Sequence, residues 1–200
     1  MISGPEGDDM VADLGMDERR VHAEARDILD FWFSLAPEKH FAKDDALDQV
    51  IAERFGTLRD QVLATEAMGW RDDPDTLLAA ILLLDQFSRN LHRDSAQAYA
   101  ADPLALELCL AAIDAGWEYR YPPERLVFVY MPLMHAESRA MQDLSVAKFA
   151  ELGREENLSF ARDHRDVIRR HGRYPSRNAV LGRTSTPEEQ EYLSRPDAGW

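Results

Sequence analysis

The chain has 200 residues, of which 45% are hydrophobic, and this is enough to build one domain around a buried core. Its net charge of −14 disfavours binding to nucleic acids and to anionic membrane surfaces. The single cysteine excludes an internal disulfide, and no apolar stretch is long enough to span a membrane or to act as a secretion signal, so we expect a cytoplasmic protein.

The N-terminal part of the chain is predicted to contain a tail and two helices. Residues 1–16 mix glycine, proline and aspartate without periodicity, which is typical of a disordered or loosely packed tail. The remaining residues, 17–200, are predicted to form a single all-helical domain. Its first helix has Asp17 as its cap and ends before Pro37, because the apolar residues between them recur at helical spacing. A second amphipathic helix is expected over residues 46–67.

Two dipeptides predict the starts of two further helices. Asp73-Pro74 and Asp102-Pro103 each place a capping aspartate before a proline at the first helical position. The helix after Pro74 is so apolar that we expect it at the centre of the domain. Cys109, in the helix after Pro103, lies at helical spacing with leucines and is expected to fill the core.

The C-terminal half also shows helical patterns. Helices are expected from Pro123, over residues 137–152 and over residues 155–171, and a last short helix follows Thr186, whose surroundings fit a capping box. Pro132 must end or kink the first of these helices. Seven to eight helices with short connections indicate an all-α fold of antiparallel helix pairs, as an array or a bundle.

A basic segment, residues 162–183, interrupts this acidic chain. Seven arginines against two aspartates give it a charge of +5, which favours the binding of a small anion. Its helical part places His164 on an otherwise apolar stripe, where it is either a hydrogen-bonded core histidine or a site residue. Arg173, Arg177 and Arg183 follow in a loop whose rigid turns can aim them inward.

Polar residues beside a strongly apolar stretch mark a second candidate region. Asp85 and Arg89 are four residues apart, as are Gln86 and Asn90, so each pair can meet on one helix face. The aspartate either orients the arginine for packing or prepares it to face a ligand. Both interpretations stay open at the level of sequence.

A third candidate region contains a histidine. His135, Ser138 and Gln142 are expected on one helical stripe, where the histidine can shuttle protons, donate a hydrogen bond or cap the helix. Pro132 is expected to free backbone carbonyls that this stripe can engage. No metal site is predicted, because His135 and Glu137 are only two residues apart and point to different sides of a helix.

Five motifs follow one another along most of the chain. They are FWF at 31–33, FAKD at 41–44, LLDQFSRN at 83–90, YMPLMHAES at 130–138 and HRDVIRRHGRYPSRNAVLGRTSTPEE at 164–189. Together they resemble the bacterial domain-of-unknown-function family 924, over roughly residues 27–194. The resemblance implies an all-α fold similar to tetratricopeptide-like right-handed helical arrays, and no established activity. The family pattern reads LDQFPRN and GRFPHRN where this chain has Ser88 and Ser176, so Ser176 does not inherit a role for that histidine.

These patterns predict a pocket for a small anionic molecule or an acidic peptide end, because paired arginines with amide donors suit planar oxyanions. One alternative is a hydrolase-like enzyme on an anionic substrate, with His135 or His164 as the catalytic acid or base. Another is a peptide- or protein-binding scaffold. No cofactor, nucleic-acid partner or membrane partner is predicted. The predicted ligand-binding residues are Asp85, Gln86, Arg89, Asn90, His135, His164, Arg173, Arg177, Asn178 and Arg183.

Overall fold

The structure is a computed structural model that describes residues 6–196, 198 and 199, and for residues 6–17 it describes the backbone alone. The α-helices of the described residues are α1 Glu6–Ser34, α2 Asp45–Ala64, α3 Pro74–Ile81, α4 Ser88–Leu91, α5 Asp102–Asp114, α6 Pro123–His135, α7 Arg139–Leu152, α8 Glu155–His171 and α9 Pro187–Leu193. A π-helical turn, Leu82–Phe87, joins α3 to α4 without a break, so α3 and α4 are parts of one continuous helix. The described residues therefore form eight helices and no strand. The all-α prediction is confirmed, and the tetratricopeptide-like arrangement stays a prediction.

The first helix begins earlier than the sequence predicts. α1 starts at Glu6, so Asp17 lies inside the helix and is not its cap. No proline interrupts residues 6–34. Once the packed part of α1 has formed a helix, further turns can therefore be added toward the N-terminus. Residues 1–5 of the predicted tail lie outside the described residues, and the loose packing of residues 6–16 stays a prediction.

The helix predicted to be central is indeed buried. Every residue from Leu77 to Leu84 is fully buried, and α1, α5 and α6 pack against α3. Asp73 caps α3 by accepting hydrogen bonds from the backbone N–H groups of Asp75 and Thr76, at 2.9 and 3.2 Å. These N–H groups have no partner inside the helix, so the cap stabilises its first turn. Both predictions for this helix are confirmed.

The junction between α6 and α7 corrects the prediction of one polar stripe. α6 ends at His135 and α7 begins after Ser138, so Gln142 lies on a different helix from the histidine. The Gln142 side-chain amide instead donates hydrogen bonds to the carbonyls of Met134 at 2.7 Å and Ala136 at 2.9 Å. Carbonyls at a helix C-terminus lack partners within the helix. Gln142 therefore fastens the start of α7 to the end of α6.

The last helix starts with the predicted capping box. Thr186 Oγ1 accepts a hydrogen bond from the N–H of Glu189 at 3.2 Å, and the Glu189 carboxylate accepts one from the N–H of Thr186 at 2.8 Å. This reciprocal pair fixes the start of α9 beside the loop that follows α8. Among the described residues, no helix is both long and apolar enough to cross a membrane, and the cytoplasmic location stays a prediction.

Candidate functional site

Seven side chains from distant parts of the sequence meet at one place, which we call the charged cluster. They are Asp85 of the π-helical turn, Arg89 of α4, Asp102 of α5, His135 of α6, His164 of α8, and Tyr174 and Arg177 of the loop after α8. Their contacts close on themselves, since each of the seven side chains lies next to two others. Five of the ten predicted ligand-binding residues therefore come together here.

The deepest part of the charged cluster is a carboxylate–imidazole pair. Asp85 Oδ1 lies 2.7 Å from His135 Nδ1 and 3.1 Å from Arg89 Nη1, and Asp85 Oδ2 accepts a hydrogen bond from Gln86 Nε2 at 2.6 Å. Burial by itself would raise the pKa of Asp85, but Arg89, His135 and Gln86 together hold that pKa well below its ordinary value. Asp85 is therefore an ionised carboxylate, fully enclosed by protein.

The ionised Asp85 determines which nitrogen of His135 carries the proton. A carboxylate only accepts hydrogen bonds, so His135 Nδ1 is the protonated nitrogen of the neutral ring. His135 Nε2 then has a free lone pair, and it makes no hydrogen bond to the described residues. Burial lowers the pKa of His135, Arg89 lowers it further, and Asp85 opposes both effects. The ring is therefore a neutral acceptor at neutral pH.

Two arginines share the carboxylate of Asp102. Arg89 Nη2 donates to Asp102 Oδ2 at 3.1 Å, and Arg89 Nη1 lies 3.0 Å from Asp102 Oδ1. Arg89 Nη1 also donates to the backbone carbonyl of Asp85 at 2.7 Å. Arg177 Nη1 donates to the same Asp102 Oδ2 at 3.2 Å. Arg89 thus contacts two carboxylates, whereas Arg177 contacts only that of Asp102, which Arg89 also uses.

Arg177 is the least satisfied cation of the charged cluster. Its guanidinium carbon lies 4.5 Å from the ring centroids of both Tyr99 and Tyr174, and the side chain is only 11% exposed. Burial lowers the pKa of Arg177, the attraction of Asp102 opposes this, and the repulsion of Arg89 adds to the lowering. Its Nε and Nη2 atoms make no hydrogen bond to the described residues. Two donors on one edge of a nearly buried cation are therefore available.

His164 completes the charged cluster on the side of α8. Its Nδ1 bonds to the backbone carbonyl of Phe160 at 2.8 Å, and its ring lies 6.4 Å from that of His135 and 5.7 Å from that of Tyr174. Burial lowers the pKa of His164 to about 3, with further lowering from His135 and from the nearby arginines. The residue is thus a hydrogen-bonded buried histidine, as one sequence interpretation has it, and its role as a site residue stays a prediction.

Several hydrogen bonds fix the position of Tyr174, whose ring contacts Arg177. Its hydroxyl donates to the carbonyl of Met134 at 2.5 Å and accepts from Gln142 Nε2 at 2.8 Å. Its backbone N–H donates to Glu137 Oε1 at 2.8 Å. These bonds tie the loop after α8 to the junction between α6 and α7, and so they position Arg177.

Two predicted residues of the same loop lie in a separate ion-pair network. Arg173 makes two hydrogen bonds to the buried carboxylate of Glu189, at 2.7 and 2.9 Å. Asn178 donates to the same carboxylate at 3.2 Å and to Ser185 Oγ at 3.0 Å. Both side chains therefore hold α9 against the loop, and their predicted role in ligand binding stays a prediction.

Two further predicted residues also have internal partners. Arg183 makes two hydrogen bonds to Glu137, at 2.7 and 2.9 Å. Asn90 donates to Asp48 Oδ1 of α2 at 2.7 Å. Arg183 also donates to the backbone carbonyl of Tyr174 at 3.2 Å, so it helps to hold the loop, and the predicted role of both residues in ligand binding stays a prediction.

The basic segment does not form an open positive surface in the described structure. Each of its seven arginines lies within 3.3 Å of a carboxylate oxygen. The pairs are Arg162–Glu155, Arg165–Asp166, Arg169–Asp143, Arg170–Glu188, Arg173–Glu189, Arg177–Asp102 and Arg183–Glu137. The net charge of the segment is thus balanced locally, and Arg177 stands out by the smallest side-chain exposure of the seven, 11%.

Sequence reasoning missed three members or neighbours of the site. Asp102 was expected to cap α5, but Ala101 occupies the cap position and the Asp102 side chain turns to the arginines. Tyr99 and Tyr174, which enclose Arg177, had no local signal. The Asp102-Pro103 dipeptide looks the same as the one at Asp73, so its different role depends on contacts from other helices.

Metal and thiol chemistry find no support in the described residues. No group of three or more histidine, cysteine, aspartate or glutamate side chains is arranged there to hold a metal ion. Cys109 is fully buried in the core, as predicted, and burial raises the pKa of its thiol. A protonated, enclosed thiol is a poor nucleophile.

The fold and the site thus define an all-helical protein with a partly buried cluster of arginines, histidines and carboxylates. The family model described as bacterial protein of unknown function, DUF924, matches residues 28–197, and the chain belongs to this family. A solved structure of a protein of unknown function from Agrobacterium tumefaciens is 40% identical, with a TM-score of 0.83 over 86% of this chain and 98% of that chain. No curated protein matches this chain. The resemblance seen in the five motifs is confirmed.

Proposed function

We propose that the charged cluster binds a small anionic molecule or an acidic peptide end at Arg177. The observation that carries this proposal is the state of the guanidinium, which is 11% exposed and bonded through one of its three nitrogens. Nε and Nη2 make no hydrogen bond to the described residues, and neither atom is fully enclosed by protein, so a ligand can reach both donors. An anion that contacts Arg177 supplies acceptors for these two donors, and hydrogen bonds between ionised groups are the strong ones.

The geometry of Arg177 favours a planar oxyanion such as a carboxylate. Nε and Nη2 lie on the same edge of a guanidinium and can donate two parallel hydrogen bonds to two oxygens of one group. The rings of Tyr99 and Tyr174 both contact the guanidinium and restrict its movement. Less side-chain freedom is then lost when a ligand binds, which favours affinity.

The test is an anion titration of the Arg177→Gln variant. We expect acetate and nitrate to raise the melting temperature of the unsubstituted protein beyond the effect of chloride at equal ionic strength. The variant loses two charge-assisted hydrogen bonds, so we expect its affinity for these anions to fall at least about tenfold.

Arg169→Gln serves as the matched control for this titration. Arg169 lies in the same basic segment and is paired with Asp143 at 2.7 Å, but its side chain is 52% exposed and outside the charged cluster. We expect the control to respond to anions as the unsubstituted protein does. Equal responses in all three proteins would contradict binding at Arg177.

A second candidate function is hydrolysis of an anionic substrate, and the Asp85–His135 contact favours it. Asp85 orients the imidazole through Nδ1, so Nε2 can accept a proton from a water molecule that attacks the substrate. Arg177 would hold the negative charge of the same substrate. His164 is the weaker candidate, because its Nδ1 bonds to a neutral carbonyl and burial, with repulsion from His135 and the nearby arginines, lowers its pKa to about 3.

This alternative predicts a specific change in turnover. In a panel of anionic esters, amides and phosphate esters, we expect His135→Gln to lower kcat at least about a hundredfold for any substrate that the unsubstituted protein hydrolyses. Arg177→Gln is expected to raise KM for that substrate. Full activity of the His135→Gln protein, or no hydrolysis of any panel member by the unsubstituted protein, would argue against the enzyme.

The scaffold alternative requires a continuous apolar groove for a helix or a strand. The large exposed hydrophobic side chains among the described residues lie on six different segments: Phe41, Val50, Met68, Tyr119, Phe160 and Leu193. The scaffold hypothesis therefore has less support than either function of the charged cluster.

A further inference from the structure

The charged groups of the cluster balance only while both imidazoles are neutral. Arg89 and Arg177 contribute two positive charges, and Asp85 and Asp102 contribute two negative charges. A monoanion bound at Arg177 would leave one uncompensated negative charge in a mostly buried site. Such a charge is costly in a medium of low polarity, and proteins commonly avoid it by a change of protonation.

We propose that the binding of a planar monoanion, such as a carboxylate, at Arg177 is accompanied by uptake of one proton by His135. The protein then takes up an anion and a proton together, and the charged cluster stays neutral. This inference rests on the proposed anion-binding function and specifies both the charge of the ligand and its linkage to pH.

The contacts of His135 make it the proton acceptor. Its Nδ1 bonds to Asp85 at 2.7 Å, so the imidazolium would keep a carboxylate as its direct partner. Burial of the ring disfavours the proton most, Arg89 of α4 adds to this, and both Asp85 and, on α5, Asp102 favour the proton. In the absence of an anion the unfavourable effects dominate. A negative charge added to the cluster shifts this balance toward protonation.

His164 is a poorer acceptor for the same proton. Its Nδ1 bonds to the neutral carbonyl of Phe160, whereas Nδ1 of His135 bonds to the carboxylate of Asp85. Arg177 and Arg89 both repel a positive charge at this position, as does a protonated His135. We therefore expect His164 to remain neutral in the complex.

Protonation of His135 also creates a hydrogen-bond donor. Nε2 of the neutral ring only accepts, whereas Nε2–H of the imidazolium donates. A carboxylate can accept two hydrogen bonds from Arg177, and the imidazolium adds a further donor and a positive charge to the same cluster. This arrangement selects planar groups with at least two acceptor oxygens and one negative charge.

The test measures the affinity for nitrate and for acetate between pH 6 and pH 8 by NMR titration. Both probes remain unprotonated over this range, so any pH dependence comes from the protein. We expect the dissociation constant of the unsubstituted protein to rise about tenfold for each pH unit above the pKa of His135. We expect no such slope in His135→Gln. His22→Gln, which alters an exposed histidine on α1, is the control and should keep the slope.

A second measurement does not depend on any variant. At pH 7, the imidazole ¹⁵N signals of His135 are expected to change from the neutral to the protonated pattern when nitrate saturates the site, while those of His164 stay neutral. A dissociation constant independent of pH, or an equal slope in His135→Gln, would overturn the proton uptake and leave anion binding intact. The absence of binding at every pH would overturn both proposals.

Discussion

Replacing Asp85 by alanine is expected to lower the free energy of unfolding by about 3 to 5 kcal/mol. Asp85 is fully buried, and its carboxylate contacts Arg89, His135 and Gln86. Its removal leaves part of a buried cation and two hydrogen-bonding groups without their partner, because alanine offers no acceptor and water has no ready access. Urea unfolding at pH 7, followed by circular dichroism, measures the change.

Asp75→Ala is the matched control for this substitution. Asp75 pairs with Arg125 at 3.2 Å, but its carboxylate side chain is 62% exposed, so we expect a change within about 0.5 kcal/mol. Asp85→Asn separates charge from shape, since the amide keeps the volume and loses the charge. A loss of stability in Asp85→Ala no greater than in Asp75→Ala would show that the charged cluster does not contribute to folding.

Acidification is expected to destabilise the protein, and His164 is a principal cause. The pKa of this histidine is lowered to about 3 in the folded state, against an ordinary value of 6.5. Between these two values the unfolded state binds the proton and the folded state does not. Stability is therefore complete above pH 6.5 and falls as the pH drops toward 3. At pH 5 the loss from His164 amounts to about 2 kcal/mol.

The His164→Gln variant isolates this contribution. Glutamine does not titrate, so the fall in unfolding free energy between pH 7 and pH 5 should be smaller in the variant by about 2 kcal/mol. His135 has a lowered pKa as well, so part of the acid sensitivity remains. Urea unfolding at both pH values provides the comparison. The same loss of stability in the variant and in the unsubstituted protein would rule out His164 as a source.

The helices could be predicted from the sequence because their signals are local. Asp73 caps α3, and the capping box at Thr186 opens α9, as the residue types and spacing indicated. The start of α1 was wrong, because the predicted cap at Asp17 is an interior residue of a longer helix. Propensity and capping patterns indicate where a helix can begin. The helix extends past such a position when the preceding residues can continue its backbone hydrogen bonds.

The charged cluster could be predicted only in part. Asp85 and Arg89 are neighbours on one stretch of helix, and their contact follows from a spacing of four residues. His135 reaches Asp85 across fifty positions of sequence, and Arg177 reaches Asp102 across seventy-five. Such contacts depend on how helices pack against one another. Local patterns identified the polar residues and could not show which of them meet.

The loop arginines illustrate the same limit. Three of them were expected to point into a pocket, and Arg177 alone joins the charged cluster. Arg173 and Arg183 pair with Glu189 and Glu137, so they hold the loop that carries Arg177. Residue type and loop rigidity were the same for all three. The positions of the opposing carboxylates decide which arginine remains available.

The π-helical turn gives the helix that contains Asp85 an unusual register. A π-helical turn has about one more residue than an α-helical turn, so the residues after it are rotated by roughly 100° from where an uninterrupted α-helix would carry them. Arg89 and Asn90 lie two and three residues after the end of the turn at Phe87, and they face Asp102 and Asp48 on different helices. The direction of both side chains therefore depends on the one extra residue in this turn. The geometry of the charged cluster thus depends on a local irregularity of the backbone.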